Sequence, residues 1–278
     1  MQTQNGRYVS VNIMGGLGNQ MFQLAVAYLY AKKYSGNLVI LRNKRENDGR
    51  PLYWDSFLKR FQEYLVDKLP DGLVQWHQGE SHDNTSLPQL TDKGIYLNGY
   101  LQNINYLKDS QEIVQELFKP SIESFRQVYL KYQPLIDNKD RIVVVHARRT
   151  DYLRNQDIIN YHGPLCVEYY KTAINKMCKY VKNPIFLLSS DDSSFWLSVI
   201  KETPELTNNF FVLEDENEIN TLILLQQFYY FIIANSTFSW WASYLAKDIK
   251  KIFAPRKWYG PSRIEDYSGI YRPEWELV

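Results

Sequence analysis

Residues 142–152 read IVVVHARRTDY, four β-branched apolar residues that pass almost directly into two arginines and an aspartate. An unbroken Ile-Val run of this kind predicts a strand buried on both faces, as in a parallel sheet covered by helices. Similar short runs recur downstream at Ile185 to Leu188, Phe210 to Leu213, Phe231 to Ala234 and Ile252 to Ala254. Between them lie stretches of helical spacing: Glu168 to Tyr180, Ser193 to Ile200, Ile219 to Tyr229 and Ser239 to Lys247. Alternation of strand and helix predicts an open α/β sheet. The expected carboxyl ends of these strands carry His146 to Asp151, Ser189 to Asp192, Glu214 and Asp215, Asn235 to Thr237, and Arg256. Ligands of open α/β sheets bind outside those ends, so the chemistry is expected along one edge.

Upstream, Val9, Val11 and Ile13 predict a first strand, followed by Gly15-Gly16-Leu17-Gly18-Asn19-Gln20 and an apolar helix from about Gln20 to Tyr34. Leu38 to Leu41 reads as a second strand and Ile95 to Leu97 as a later one. Glycines between a strand and a helix allow positive φ and close approach of a phosphate to a helix start. The dinucleotide fingerprint G-x-G-x-x-G is half met, because Met21 stands where the third glycine belongs. Nucleotide binding and a plain tight turn both remain open on this motif alone. The segment from Lys44 to Gly94 shows no clear period and is expected as loops and short helices. The polar stretch Gln133 to Asp140, with Pro134 early in it, is the expected boundary between two lobes, 1–138 and 139–278.

A formal net charge of +1 supplies no global field for nucleic acid or an acidic membrane. The aromatic fraction of 15%, led by 22 tyrosines, suits either a carbohydrate site or a rich core. Cys166 and Cys178 are the only cysteines and lack metal-ligand spacing, which fits a reducing compartment. The polar start, Met1 to Tyr8, is unlike a signal peptide. The longest apolar run, Phe228 to Ala234, falls far short of the ~20 residues of a membrane span. The expected location is cytoplasmic, with peripheral contact at the inner membrane face as an option.

Two arginines leaving a buried strand need anionic partners. Arg148 and Arg149 could fork a diphosphate, or pair with Asp151 to hold the turn. Asp191-Asp192 and Glu214-Asp215-Glu216 superficially suggest a metal site. Asp192 also suits a helix cap before Ser193, and the Glu cluster a solvated loop.

Taken in order, MGGLGNQMFQ (14–23), VHARRTDY (145–152), HGPLCVEYY (162–170), IIANSTFSWWASYLA (232–246) and FAPRKWY (253–259) resemble the α-1,2-fucosyltransferases, glycosyltransferase family 11. The His-x-Arg-Arg pattern is shared with α-1,6- and protein O-fucosyltransferases, whereas Ser-Phe-Ser-Trp-Trp points to the α-1,2 group. The resemblance implies an α/β GT-B-like fold of two Rossmann-like lobes with the active site in the cleft between them. Residues 1–138 would form the acceptor-side lobe with the glycine turn, and 139–278 the donor lobe. The implied reaction moves L-fucose from GDP-fucose to O2 of a terminal galactose with inversion, without metal or cofactor. Arg148 is implied to hold the β-phosphate and His146 to lie near the nucleoside. Gly16, Leu17, Gly18 and Asn19, with Gln20, would contact pyrophosphate or fucose. Asn235, Ser236, Thr237, Phe238 and Ser239 would add phosphate contacts at a second helix start, where Ser and Thr are also natural caps.

Trp240 and Trp241 are expected in helix packing rather than as sugar platforms. One departure stands out: relatives commonly carry an Asp before the last helix–strand pair, and this chain has Asn220-Thr221, leaving Glu218 or Asp215 as substitutes for reading guanine. In the implied mechanism Arg148 and Arg149 stabilise the departing diphosphate. Asp157 is the first candidate for taking the acceptor proton and Asp151 the second, the latter expected mainly to orient an arginine. Glu168 is expected inside a helix. Rival readings are a GT-B transferase using GDP-mannose or an ADP-sugar, and a non-catalytic sugar-nucleotide binding or lectin-like protein. The expected acceptor is a galactose-terminated oligosaccharide, free or on a lipid-linked O-antigen or capsule unit, and no nucleic acid is expected. Lys247 to Lys257 either touches a membrane or forms an ordinary surface and strand.

Overall fold

The computed structural model describes residues 7–42, 50–79, 86–263 and 267–278. The chain divides into two compact units, 1–119 with 265–272, and 120–264 with 273–278.

In the first unit, β1 (Tyr8–Val11) leads through the glycine turn into α1 (Leu17–Lys33). Next come β2 (Asn37–Leu38), β3 (Ile40–Leu41), β4 (Leu65–Val66), β5 (Val74–His77), β6 (Ile95–Asn98) and α2 (Gln111–Leu117). Four strands form a parallel sheet in the order β2-β1-β6-β5, and β3 pairs with β4. The expected single strand at Leu38 to Leu41 is therefore two, because the chain changes partner at Val39, whose N–H bonds to Val9 O at 2.9 Å. The predicted irregular stretch from Lys44 lies partly outside the described residues (43–49 and 80–85). Its described part includes β5, whose Val-Gln-Trp-His sequence carries too little apolar pattern to announce a strand.

The second unit begins with α3 (Ile122–Ile136). Its buried Val128, Tyr132 and Ile136 recur every four residues, the spacing that aligns side chains on one helix face. That face belongs to this unit: Tyr132 and Lys131 both bond Glu216, at 2.7 and 2.6 Å. The unit boundary thus falls at Lys119/Pro120, not at 138/139, and residues 265–272 return to the first unit. Pro134 kinks the helix instead of ending it, with Tyr132 at φ −117 and ψ 19.

Then follow β7 (Ile142–Ala147), α4 (Gln156–His162), α5 (Val167–Met177), β8 (Ile185–Ser190), α6 (Phe195–Glu202) and β9 (Phe210–Leu213). The unit closes with α7 (Glu218–Leu225), β10 (Tyr230–Ile232), α8 (Thr237–Leu245), β11 (Lys251–Ala254) and β12 (Glu276–Leu277). The six strands are parallel in the order β12-β11-β10-β7-β8-β9. Val143, Val145, Phe186 and Leu188 share a core with Tyr170, Ile174 and Met177 of α5 and Trp196 of α6. The intervening Val144 and Leu187 are equally buried, so the sheet is covered on both faces, as the unbroken apolar run predicts. Trp240 and Trp241 are fully buried in α8 and meet edge to face at 5.1 Å, which makes them packing residues. Among the described residues no helix is long and apolar enough to cross a membrane.

Candidate active site

β7 ends at Ala147, and its parallel register with β8 sets His146 beside Ser189 and Ala147 beside Ser190. The two strands therefore release their next residues side by side, and Asp191 lands against the arginine turn. Its carboxylate accepts the backbone N–H of Arg149 at 2.8 Å, that of Thr150 at 3.2 Å and the Thr150 hydroxyl at 2.5 Å. Arg148 donates Nε and Nη2 to the two oxygens of Asp151, both at 2.7 Å, and its Nε also lies 3.3 Å from Asp191. Two carboxylates thus fix one edge of the guanidinium fork, and Nη1 takes no protein hydrogen bond among the described residues. Burial works against the charge on Arg148, but Asp151 and Asp191 more than offset it and hold the group firmly protonated. Two arginines and two carboxylates cancel formally, so an anion is drawn here by aimed donors rather than by net charge.

Arg149 has a different setting. Its Nη1 donates to Leu165 O at 3.0 Å and its guanidinium lies 4.2 Å from the Phe195 ring centroid. This commits Arg149 to the packing around α5 and α6. His146 is 5% exposed, its ring 5.4 Å from that of Phe238, and its Nδ1 has no hydrogen-bond partner among the described residues. Burial pushes its pKa down to about 4, Asp191 opposing and Arg148 adding to the shift, so the ring is neutral at pH 7.

The start of α8 is organised by Ser236, whose Oγ accepts the Phe238 N–H at 3.3 Å. Thr237 opens the helix, and Ser239 is buried with its hydroxyl 3.3 Å from Ala234 O and from Ser236 O. Asn235, expected among the phosphate ligands, has its amide nitrogen placed on three carbonyls: His162 at 2.7 Å, Trp258 at 3.0 Å and Gly163 at 3.1 Å. Its backbone carbonyl accepts the Tyr152 hydroxyl at 3.0 Å. Tyr152 stacks on His162 at 4.1 Å, and burial pushes its hydroxyl pKa well up. Asn235 therefore ties the arginine turn, the end of α4 and the Trp258 segment together. The same seam includes Gly163, at φ +62, where a Cβ would stand 2.8 Å from Gly260 Cα.

Asp157 is exposed in the first turn of α4, where Asn155 provides the cap to Ile158 N–H at 2.9 Å. It is not joined to the bonded cluster around Arg148, whereas Asp151 is. Glu168 lies exposed in the first turn of α5, inside a helix as expected. Asp192 is not the cap of α6. The helix starts two residues later, with Ser194 at the cap position and its hydroxyl on Asp192 at 2.5 Å. Glu216 is no solvated loop residue either: its side chain is 5% exposed, bonded to Lys131 and Tyr132 and to Asn220 Nδ2 at 2.9 Å. Among the described residues no three His, Cys, Asp or Glu side chains converge on a metal position.

In the first unit, Gly15 needs its glycine, at φ +74 with Asn19 Nδ2 2.4 Å from where a Cβ would stand. Gly16 occupies the cap position of α1 with no side-chain cap, and a Cβ there would meet nothing within 4 Å. Leu17, Gly18 and Gln20 are buried. Gln20 donates to Gly15 O at 2.9 Å and Pro51 O at 2.8 Å, and Asn19 Oδ1 accepts from Gln102 at 2.9 Å. The side chains of this motif thus hold the turn, and what they leave to a ligand is backbone and the open space over Gly16.

Asp191 reads from the sequence as a strand end and as half of a metal-like pair, but its contact with the arginine turn, like the Tyr152–His162 stack, escaped the sequence reading. A parallel register between the runs at 142 and 185 would have pointed to Asp191, since it aligns the two strand exits.

An alpha-1,2-colitosyltransferase of Escherichia coli is 27% identical over 281 residues, covering 93% of this chain and 95% of that protein. The O-antigen biosynthesis glycosyltransferase WbnK of Escherichia coli is 24% identical, covering 89% and 93%. Among solved structures, the NodZ alpha-1,6-fucosyltransferase soaked with GDP-fucose matches with a TM-score of 0.54 at 14% identity, over 90% of this chain and 95% of that one. An Arabidopsis thaliana FUT1 mutant in complex with GDP gives 0.54 at 16% identity, over 94% and 74%. At such identities these two carry the fold alone. The model of glycosyl transferase family 11 matches residues 2–278, from the glycine turn through the arginine turn to the last strand, and the chain belongs to that family.

Proposed function

We propose that this glycosyltransferase moves L-fucose from GDP-fucose to O2 of a terminal galactose, inverting the anomeric carbon and using no metal. The observation that carries the reading is Arg148, held on one edge by Asp151 and Asp191 at the carboxyl end of β7 with Nη1 left for a ligand. A diphosphate leaving group gains negative charge as the glycosidic bond breaks, and a fixed fork aimed at it lowers that barrier. Neutral His146 beside Phe238 suits an uncharged nucleoside. The start of α8 adds the positive end of its helix dipole for the phosphates.

In the GT-B reading the second unit holds the donor, and the first brings the glycine turn and the acceptor. The acceptor hydroxyl attacks C1 from the face opposite GDP. Its proton leaves late in an oxocarbenium-like transition state, which lowers the demand for a strong base. Asp151 is engaged with Arg148, so Asp157 is the carboxylate left for this role. Guanine is read without the usual aspartate, and Glu218 or Asp215 is the proposed substitute, since Asn220 is bonded to Glu216.

The colitosyltransferase relative favours one second reading, GDP-colitose as donor. Colitose is 3-deoxy-L-fucose, so the two donors differ by one hydroxyl. Purified protein with lactose in excess EDTA, offered each donor separately, decides. Product from GDP-fucose bearing a new bond at O2 of galactose is the expected result. Turnover of GDP-colitose alone would replace the donor, and turnover that needs added divalent ion would overturn metal independence.

A further inference from the structure

The first unit contains a cavity of about 680 Å³ between the last turns of α1 and the segment from Asn103 to Ile113. That volume is ordinary for a small-ligand site, roughly 300–1,000 Å³. The lining begins at Val26, about 14 Å along α1 from its start at Leu17 by the helix rise, and no residue of the glycine turn lines it.

Three ammonium groups line it, Lys32 and Lys33 from α1 and Lys108 from the segment across from it, and among the described residues no carboxylate does. None of the three is paired with an acidic group among the described residues. Lys33 instead rests 5.3 Å from the Tyr34 ring centroid. Two lysines at a helix C-terminus answer the helix dipole and by themselves say little. Lys108 comes from a different element, and that convergence is what distinguishes a site from a helix end. Asp109 and Glu112 neighbour it in sequence without lining the cavity.

The remaining walls mix aromatic and apolar surface with the polar residues Ser86, Asn103, Asn105 and Ser110. Tyr34 and Tyr106 present rings, and Leu29 and Ile113 supply apolar surface. Tyr30 completes the wall through its hydroxyl, which donates to Pro88 O at 2.7 Å and holds that strand of chain beside the opening. Tyrosine rings suit the C–H faces of a sugar, and the ammonium groups suit a phosphate.

We propose that this cavity binds a phosphorylated saccharide, through the phosphate on Lys32, Lys33 and Lys108 and the sugar on the tyrosine rings. The same chemistry is offered by a free sugar phosphate and by a glycan on a lipid diphosphate. The site is independent of the donor assignment and stands or falls without it.

The test is equilibrium dialysis of labelled galactose 1-phosphate, with saturating GDP present to fill any nucleotide site. The full chain should bind it, and Lys108→Ala and the double variant Lys32→Ala/Lys33→Ala should each weaken binding by about five- to tenfold, as expected for part-exposed charge-assisted contacts. Ile113→Trp, which adds bulk to one wall of the cavity, should weaken it as well. The lysine variants are exposed positions and keep the test valid should the tryptophan variant misfold. Fucosyl transfer to lactose should be unchanged in the lysine variants, which separates failure here from failure of the proposed reaction. Farnesyl diphosphate-linked galactose in detergent micelles, binding more tightly than galactose 1-phosphate, would assign the lipid-linked source; the reverse order would assign the free one. Binding that survives all the cavity variants, or inorganic phosphate binding as tightly as the sugar phosphate, would overturn the proposal.

Discussion

Replacing Asn235 by Ala separates a clamp from a ligand contact. The amide nitrogen carries two hydrogens shared among the carbonyls of His162, Trp258 and Gly163, at 2.7, 3.0 and 3.1 Å, in a residue only 2% exposed. Each hydrogen bond is worth a net ~1 kcal/mol, and carbonyls left dry in the interior add a penalty, so the loss comes to about 2–4 kcal/mol. For a domain of this size that is a fall in Tm of roughly 5–15 °C. Asn235→Asp should be worse near neutral pH, because a carboxylate oxygen would replace the amide nitrogen among three carbonyl oxygens. Urea unfolding followed by tryptophan fluorescence reads the change, since Trp240, Trp241 and Trp258 are all buried in the same unit. Calorimetric titration with GDP well below the melting point reads the ligand side. If Asn235→Ala kept the wild-type urea midpoint and slope while GDP affinity dropped, the amide would be a phosphate contact and the clamp reading would be wrong.

Arg148→Lys should lower kcat by about 10²–10³, because an ammonium cannot hold Asp151 with two parallel bonds and still present a third donor; single-turnover kinetics check this. Acid stability should carry the mark of His146. Its folded pKa of about 4 lies below the ordinary 6.5, so the unfolded chain takes a proton that the native state refuses. Stability is full above about pH 6.5 and falls as pH drops toward 4, by something on the order of 3 kcal/mol, and His146→Phe should flatten that limb in urea titrations run at several pH values. Gly260→Ala would place a Cβ 2.1 Å from Asn160 O, a backbone atom, and should cost about 1–3 kcal/mol or more on thermal melting. Gly16→Ala meets nothing within 4 Å and should leave stability within about 1 kcal/mol of wild type. If the turn seats a ligand, the same methyl should lower kcat/KM for the donor; an unchanged value would remove Gly16 from the site.

The sequence by itself determined the sheet and its buried faces. Four β-branched residues at 142–145 can satisfy their surface only inside a covered parallel sheet, and that constraint is local. Burial of Trp240 and Trp241 was legible for the same reason, as was the pairing of Arg148 with Asp151 three residues on. What only the tertiary structure decided are the partners chosen over distance. Asp191 reaches the arginine turn because β7 and β8 pair in a particular register, and Asn235 reaches three carbonyls because α4 and the Trp258 segment close around it. Glu216 is buried because α3 packs beside it, through Lys131 and Tyr132 on the helix that Pro134 kinks. Periodicity and turn chemistry act within a few residues and can be read along the chain, whereas a hydrogen-bond partner tens of residues away is fixed only when the folded backbone brings the two together.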